Sequence, residues 1–186
     1  MSTYPISATY VAYLVLAMML PATALAQGHG NARPAAIAIP EGMKAEHDAI
    51  HRQLVRVTQA PGRTGEAARA LAEVLHPHFV REEQIALPPL GLLAPLARGE
   101  LTEAMSAVLP MTDSLRTELP RMLEEHKAIH AATARLAEVA RQDANAEAAA
   151  LAAALAAHAE AEEELFYPAA LLVGEVVRAR TRAAGH

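Results

Sequence analysis

HFVREEQIALP, residues 78–88, and HAEAEEELFYP, residues 158–168, are the two stretches on which the reading of this chain turns. Each has an upstream partner: EHDAIH at 46–51 precedes the first, and EHKAIH at 125–130 precedes the second. The paired histidines are similarly spaced, 78 − 47 = 31 residues in one half and 158 − 126 = 32 in the other. Residues 46–88 and 125–168 therefore read as an internal repeat, which is a fold-level signal.

Working outward, proline and glycine punctuate four helical segments. The first is expected from about Glu41 to Gln59, ending before Pro61-Gly62, and the second from about Gly65 to Ala86, ending at Pro88-Pro89. A loop with a short helical piece spans about 91–110. The third segment covers about Ser114 to Gln142, with Pro120 either kinking it or marking its start. The fourth starts near Asn145 and passes through Pro168, bent there, toward Arg182. The expected fold class is all-α, an up-down four-helix bundle over residues 40–182.

Each segment carries a stripe stepping by three and four residues, the period of a core-facing helix side. The stripes are Met43, His47, Ile50, Leu54, Val57; then Leu71, Leu75, His78, Glu82, Ile85; then Met122, His126, Ile129, Thr133, Leu136; and Leu151, Leu155, His158, Glu162, Leu165. Histidines and glutamates occupy positions that should be apolar. A lone histidine on such a stripe is ordinarily a satisfied core residue. Two glutamates and four histidines at matching depth are another matter, because an unpaired buried carboxylate costs several kcal/mol. No cationic side chain shares the stripes, since Arg52 and Arg81 are out of phase. Metal ions would supply the missing positive charge. Residues at i and i+4 lie about 40° apart around a helix, so His78 with Glu82, and His158 with Glu162, reach one point in the core. Carboxylate oxygen with imidazole nitrogen and no sulfur suits iron or manganese, with zinc possible.

Other residues take plainer readings. Thr133 is expected to pack, its hydroxyl bonded to the carbonyl one turn back. Glu46 and Glu125 are expected to be solvated, with contact to a ligand imidazole as the alternative, and Glu83 and Glu164 to be surface charges. His76, before Pro77, is expected near the surface, and Met43 and Met122 to pack. Phe79, Phe166 and Tyr167 are expected to wall the pocket, with the Tyr167 hydroxyl available to hydrogen-bond a bound oxygen species.

Composition narrows the class. The chain has 186 residues with no cysteine and no tryptophan, and only two phenylalanines and four tyrosines. Disulfides, thiolate metal sites and thiol catalysis are thereby excluded. A net charge of −5 without a basic block argues against nucleic acid. Phosphate-binding loops, HExxH and GxSxG are absent. Residues 1–26 read as a signal peptide, with an apolar run from Tyr10 to Leu20 and cleavage after Ala26 in the Ala24-Leu25-Ala26 pattern. The run is short for a membrane span and Pro21 breaks it, so no stable insertion is expected after cleavage. Residues 27–39 read as a flexible linker, and the expected location is periplasmic or secreted.

At the residues quoted above the chain resembles the hemerythrin-like, or HHE cation-binding, family over about residues 40–175. That resemblance implies a four-helix bundle with His47, His78, Glu82, His126, His158 and Glu162 as ligands of two iron ions, binding oxygen, nitric oxide or peroxide, or handling iron. Oxygen-carrying members have a further histidine four residues on in the third helix, which is His130 here. They also bridge with an aspartate five residues after the fourth-helix histidine, where this chain has Glu163. Glu162 is the one in phase with the stripe and is favoured. His51 mirrors His130 in the first half, and both are carried as possible further ligands. The expected function is an exported di-iron protein that binds or senses oxygen or nitric oxide rather than an enzyme. A di-iron oxidoreductase and an iron-handling protein are the alternatives; the absence of a cysteine-bearing segment weighs against a role in iron-centre repair.

Overall fold

The structure, a computed structural model, describes residues 37–184. The expected signal peptide, nearly all of the linker, and His29 and His186 lie outside the described residues. Among those described, no helix is long and apolar enough to cross a membrane.

Helix α1, Glu41–Thr58, begins after Pro40, whose carbonyl accepts a hydrogen bond from Lys44 N at 3.0 Å. It buries His47, Ile50, Leu54 and Val57, the expected stripe, with Met43 half-buried at its start. Gly62 takes a left-handed φ of 65° to open α2, Gly62–Ile85, three residues earlier than expected. Pro77 sits inside α2. Pro88 and Pro89 do not merely stop a helix; they stand in a short helix α3, Leu87–Leu90. A proline in the first turn forfeits no intrahelical hydrogen bond. A second short helix, α4, Leu93–Ala97, and a 3-10 segment, Glu103–Val108, complete the connection.

Helix α5 spans Leu109–Gln142 and so starts five residues before the expected Ser114. Pro120 neither starts nor ends it. Proline removes one hydrogen bond, and burial of Thr112, Leu115 and Met122 on either side offsets that loss. The turn to α6 uses Ala144 at φ 52°, after which the Asn145 side chain caps α6, Ala146–Ala161, by accepting from Ala148 N at 3.0 Å. The Thr64 hydroxyl donates to Asp143 at 2.9 Å and Arg63 pairs with the same carboxylate, tying the start of α2 to the end of α5.

The fourth segment departs from a straight helix. Residues Glu162–Phe166 are π-helical, and α7, Tyr167–Ala184, continues beyond them. A π turn accommodates one extra residue. The inward phase therefore slips after Glu162: Leu165, expected on the core stripe, is 62% exposed, and Tyr167 is 1% exposed.

Helix α1 packs against α2 and α6, and α5 packs against α2, α6 and α7, so the four long segments close a ring. This is an all-helical arrangement consistent with a hemerythrin-like helical bundle. Its interior is divided. One apolar cluster holds Ile50, Leu54, Leu71, Leu75, Ile129, Leu136, Leu151 and Leu155; a second holds Ile85, Leu87, Leu115, Met122, Tyr167 and Ala170. Along every long segment the histidines and buried glutamates fall between residues of these two clusters. Each buried Leu or Ile contributes about 1.5–3 kcal/mol, and apolar layers on both sides give the polar layer its rigidity.

Candidate metal centre

Nine polar or charged side chains are buried among the described residues: His47, His78, His126, His158, Glu82, Glu162 and three threonines. No lysine or arginine is among them. Arg81 turns outward to pair with Glu118. The four imidazoles are therefore the buried side chains that stand against the two acids.

The histidines approach in two pairs, each drawn from two helices. His78 Nε2 on α2 and His126 Nε2 on α5 lie 2.8 Å apart. On the other side are His47 from α1 and His158 from α6, with ring centroids 4.9 Å apart. Both carboxylates straddle the pairs. Glu162 places Oε1 at 2.8 Å from His158 Nε2 and 3.4 Å from His47 Nε2, while its Oε2 lies 3.6 Å from His126 Nε2. Glu82 places Oε1 at 3.4 Å from His78 Nε2 and Oε2 at 3.8 Å from His47 Nε2. Donor atoms of His78, Glu82, His126 and Glu162 all fall within 4.8 Å of one another, and so do those of His47, His158 and Glu162. Glu162 belongs to both groups.

The Nδ1 atoms face outward, each toward a carboxylate from a neighbouring helix. His126 Nδ1 is 2.7 Å from Glu163 Oε1, and His78 Nδ1 is 3.0 Å from Glu125 Oε2. Glu46 stands 3.2 Å from His158 Nδ1 and Glu83 3.4 Å from His47 Nδ1, close enough for ion pairing but off the hydrogen-bond line. Glu125 thus takes the alternative open to it, contact with an imidazole of the site, and Glu83 leans to His47 although a surface role is expected of it. Both are partly exposed, which is why sequence phase assigned them to the surface, but a glutamate is long enough to lean onto the next helix. Partners of this kind fix the tautomer and orientation of a metal-binding imidazole.

Electrostatics follow from this crowding. Burial and the neighbouring Glu162 charge push the Glu82 carboxyl up. Burial acts on Glu162 in the same direction, but hydrogen bonds from His158 and His47 outweigh it and hold that carboxyl well below the usual range. Two acids so close cannot both ionise freely, and the better-bonded one keeps the charge. Burial lowers His78, yet Glu82, Glu125 and Glu162 together raise it to about 9. His126 is lowered, chiefly by burial. His158 is raised because Glu162 outweighs its burial.

Two candidate ligands, His51 and His130, lie off the buried layer. His51 is half-buried beside His76, their ring centroids 6.4 Å apart, and reaches neither histidine pair. The buried side of α1 steps from His47 to Ile50, and His51 lies one residue off that stripe. His130 is displaced for the same reason, because α5 buries Ile129. It is 43% exposed and contacts Glu163 at 3.3 Å, forming a rim group with His126 and Glu163. Glu163 stays outside the buried layer, as its phase indicated. Thr133 is buried, but its hydroxyl lacks the expected carbonyl partner.

Tyr167 does more than wall the pocket. Its hydroxyl donates to Glu82 Oε1 and lies 3.0 Å from His126 Nε2 and 3.3 Å from His78 Nε2. Burial and the Glu82 charge push its own pKa upward. Phe79 walls the opposite side, stacked on His47 at 4.0 Å between ring centroids. Phe166 is only half-buried and packs in the second apolar cluster.

Glu82 Oε2 is buried without a hydrogen-bond partner, a cost of about 1–3 kcal/mol. A cation seated between the pairs would satisfy it, and an oxygen-and-imidazole donor set without sulfur fits iron, manganese or zinc.

Comparison with known proteins agrees in kind. The model of the hemerythrin HHE cation-binding domain matches residues 38–170. No curated protein and no solved structure matches the chain.

Proposed function

The chain belongs to the hemerythrin HHE cation-binding domain family, and we propose that it is an exported protein that holds two iron ions and reversibly binds oxygen or nitric oxide. His78 and His126 would hold one ion and His47 and His158 the other, with Glu82 and Glu162 shared between them. One observation carries this reading: among the described residues the buried carboxylates and imidazoles, together with the Tyr167 hydroxyl, face a single layer that contains two acids and no lysine or arginine. Reduced iron in such a site supplies the electrons that a bound diatomic ligand accepts.

The chain's own residues supply the rest. Glu82 and Glu162 keep the two histidine pairs in register through oxygens directed to opposite sides. Glu125 and Glu163 hold the His78 and His126 rings from behind. Phe79 and the flanking leucine layers exclude water and bulky substrates, which favours small uncharged ligands over larger ones.

The test is metal analysis of the full chain purified from its native compartment, followed by anaerobic reduction and cycling between air and argon. Two irons per chain and a reversible optical change are expected. A folded protein that takes up none of iron, manganese or zinc would overturn the reading.

A further inference from the structure

The donor set follows the internal repeat, and Tyr167 breaks it. His78 corresponds to His158 and Glu82 to Glu162. Tyr167, nine residues after His158 (167 − 158 = 9), corresponds to Leu87 (87 − 78 = 9). One half of the centre thus has a phenol where the other half's repeat offers a hydrocarbon. The π-helical turn at Glu162–Phe166 delivers that phenol by rotating Tyr167 inward in place of Leu165.

The hydroxyl is unusually placed for a structural tyrosine. A buried tyrosine needs one hydrogen-bond partner, and Glu82 Oε1 provides it. Tyr167 oxygen nevertheless also stands within 3.0 Å and 3.3 Å of the two metal-facing nitrogens of His126 and His78. Four donors from four residues, two imidazole nitrogens, a carboxylate oxygen and a phenol oxygen, surround one small volume.

We propose, resting on the di-iron reading above, that Tyr167 is itself a ligand of the iron held by His78 and His126, bound through its oxygen as phenolate. On loading, the phenol O–H bond breaks, an oxygen–iron bond forms and the proton leaves to solvent, with no electron transferred. The centre is then asymmetric. The His78–His126 side has two imidazoles, two carboxylate oxygens and the phenolate, whereas the His47–His158 side has two imidazoles, two carboxylate oxygens and the apolar ring of Phe79. A small ligand would then find fewer protein donors on the His47–His158 side.

The experiment loads the full chain and its Tyr167→Phe variant with ferric iron, counts iron per chain, and records visible absorption and resonance Raman spectra. The wild type is expected to show a phenolate-to-iron(III) charge-transfer band with enhanced tyrosine ring modes. The variant is expected to bind two irons and lose both signals completely. Two irons in the wild type without phenolate signals overturns the assignment and leaves the di-iron reading intact. Signals that persist in the variant overturn it equally, since they arise from another tyrosine. A wild type that binds no iron overturns the underlying reading, and the assignment falls with it.

Discussion

Glu125 hydrogen-bonds His78 Nδ1 at 3.0 Å, reaching from α5 to α2 although its sequence neighbour His126 faces the same layer from α5. Adjacent residues of one helix thus act on two different imidazoles, one by contributing a nitrogen and one by bracing a ring. The repeat counterpart behaves alike, with Glu46 at 3.2 Å from His158 Nδ1 on α6 and its neighbour His47 facing the layer from α1.

Removing that brace should weaken metal binding without unfolding the bundle. Glu125→Ala is expected to lower metal affinity about 10- to 100-fold. The variant should keep its helical circular dichroism. Competition with a calibrated chelator measures the change, and an unaltered affinity would refute the bracing role.

Glu162 joins both donor groups, so its loss should be felt on both sides. Glu162→Gln is expected to bind fewer than two metal ions per chain. In the metal-free state His158 and His47 lose their carboxylate partner, and breaking a buried pair costs about 3 kcal/mol or more. Denaturant titration of the metal-free proteins reads this, and equal midpoints would contradict it.

The π-helical turn predicts an inverted pattern of core sensitivity. Leu165→Lys is expected to change stability by less than about 0.5 kcal/mol, as surface substitutions do. Leu155→Ala, at a site 1% exposed, is expected to cost about 2–5 kcal/mol. If Leu165→Lys proves the more damaging, the fourth segment is a regular helix and the phase slip is wrong.

Metal uptake should release protons. Glu82, Glu125 and Glu162 outweigh burial and raise His78 to about 9 in the metal-free protein, above the ordinary 6.5. Its proton therefore stabilises the metal-free fold fully below pH 6.5, and that contribution is lost as pH rises through about 9. A metal requires the neutral imidazole, so loading at pH 7 expels this proton. A pH indicator in weak buffer detects it; uptake with no acidification would exclude a protonated His78.

Stripping the metal should destabilise the fold by linkage, about 4 kcal/mol where free metal had stood at a thousand times its dissociation constant. Thermal melts with and without chelator give the difference. Coincident melts would show that the six buried residues are satisfied without a cation.

Sequence alone determined the helical class, the four long segments and the convergence of His47, His78, Glu82, His126, His158 and Glu162. The reason is periodic: a regular helix turns by a constant angle, so residue spacing states which side chains share a face. Where the helix is regular, from Leu71 to Glu82 or from Leu151 to Glu162, the spacing predicts the burial found. Periodicity could not reveal that Glu162–Phe166 is π-helical, because the extra residue leaves no mark on composition. Leu165, expected in the core, is therefore exposed, and Tyr167, expected to wall the pocket, stands deeper, its hydroxyl against Glu82, His126 and His78. Nor could it show that Glu83, Glu125 and Glu163 lean across to histidines of neighbouring helices. Those contacts depend on how far apart packed helices lie, a distance set by side chains from both partners, and only the assembled bundle decides it.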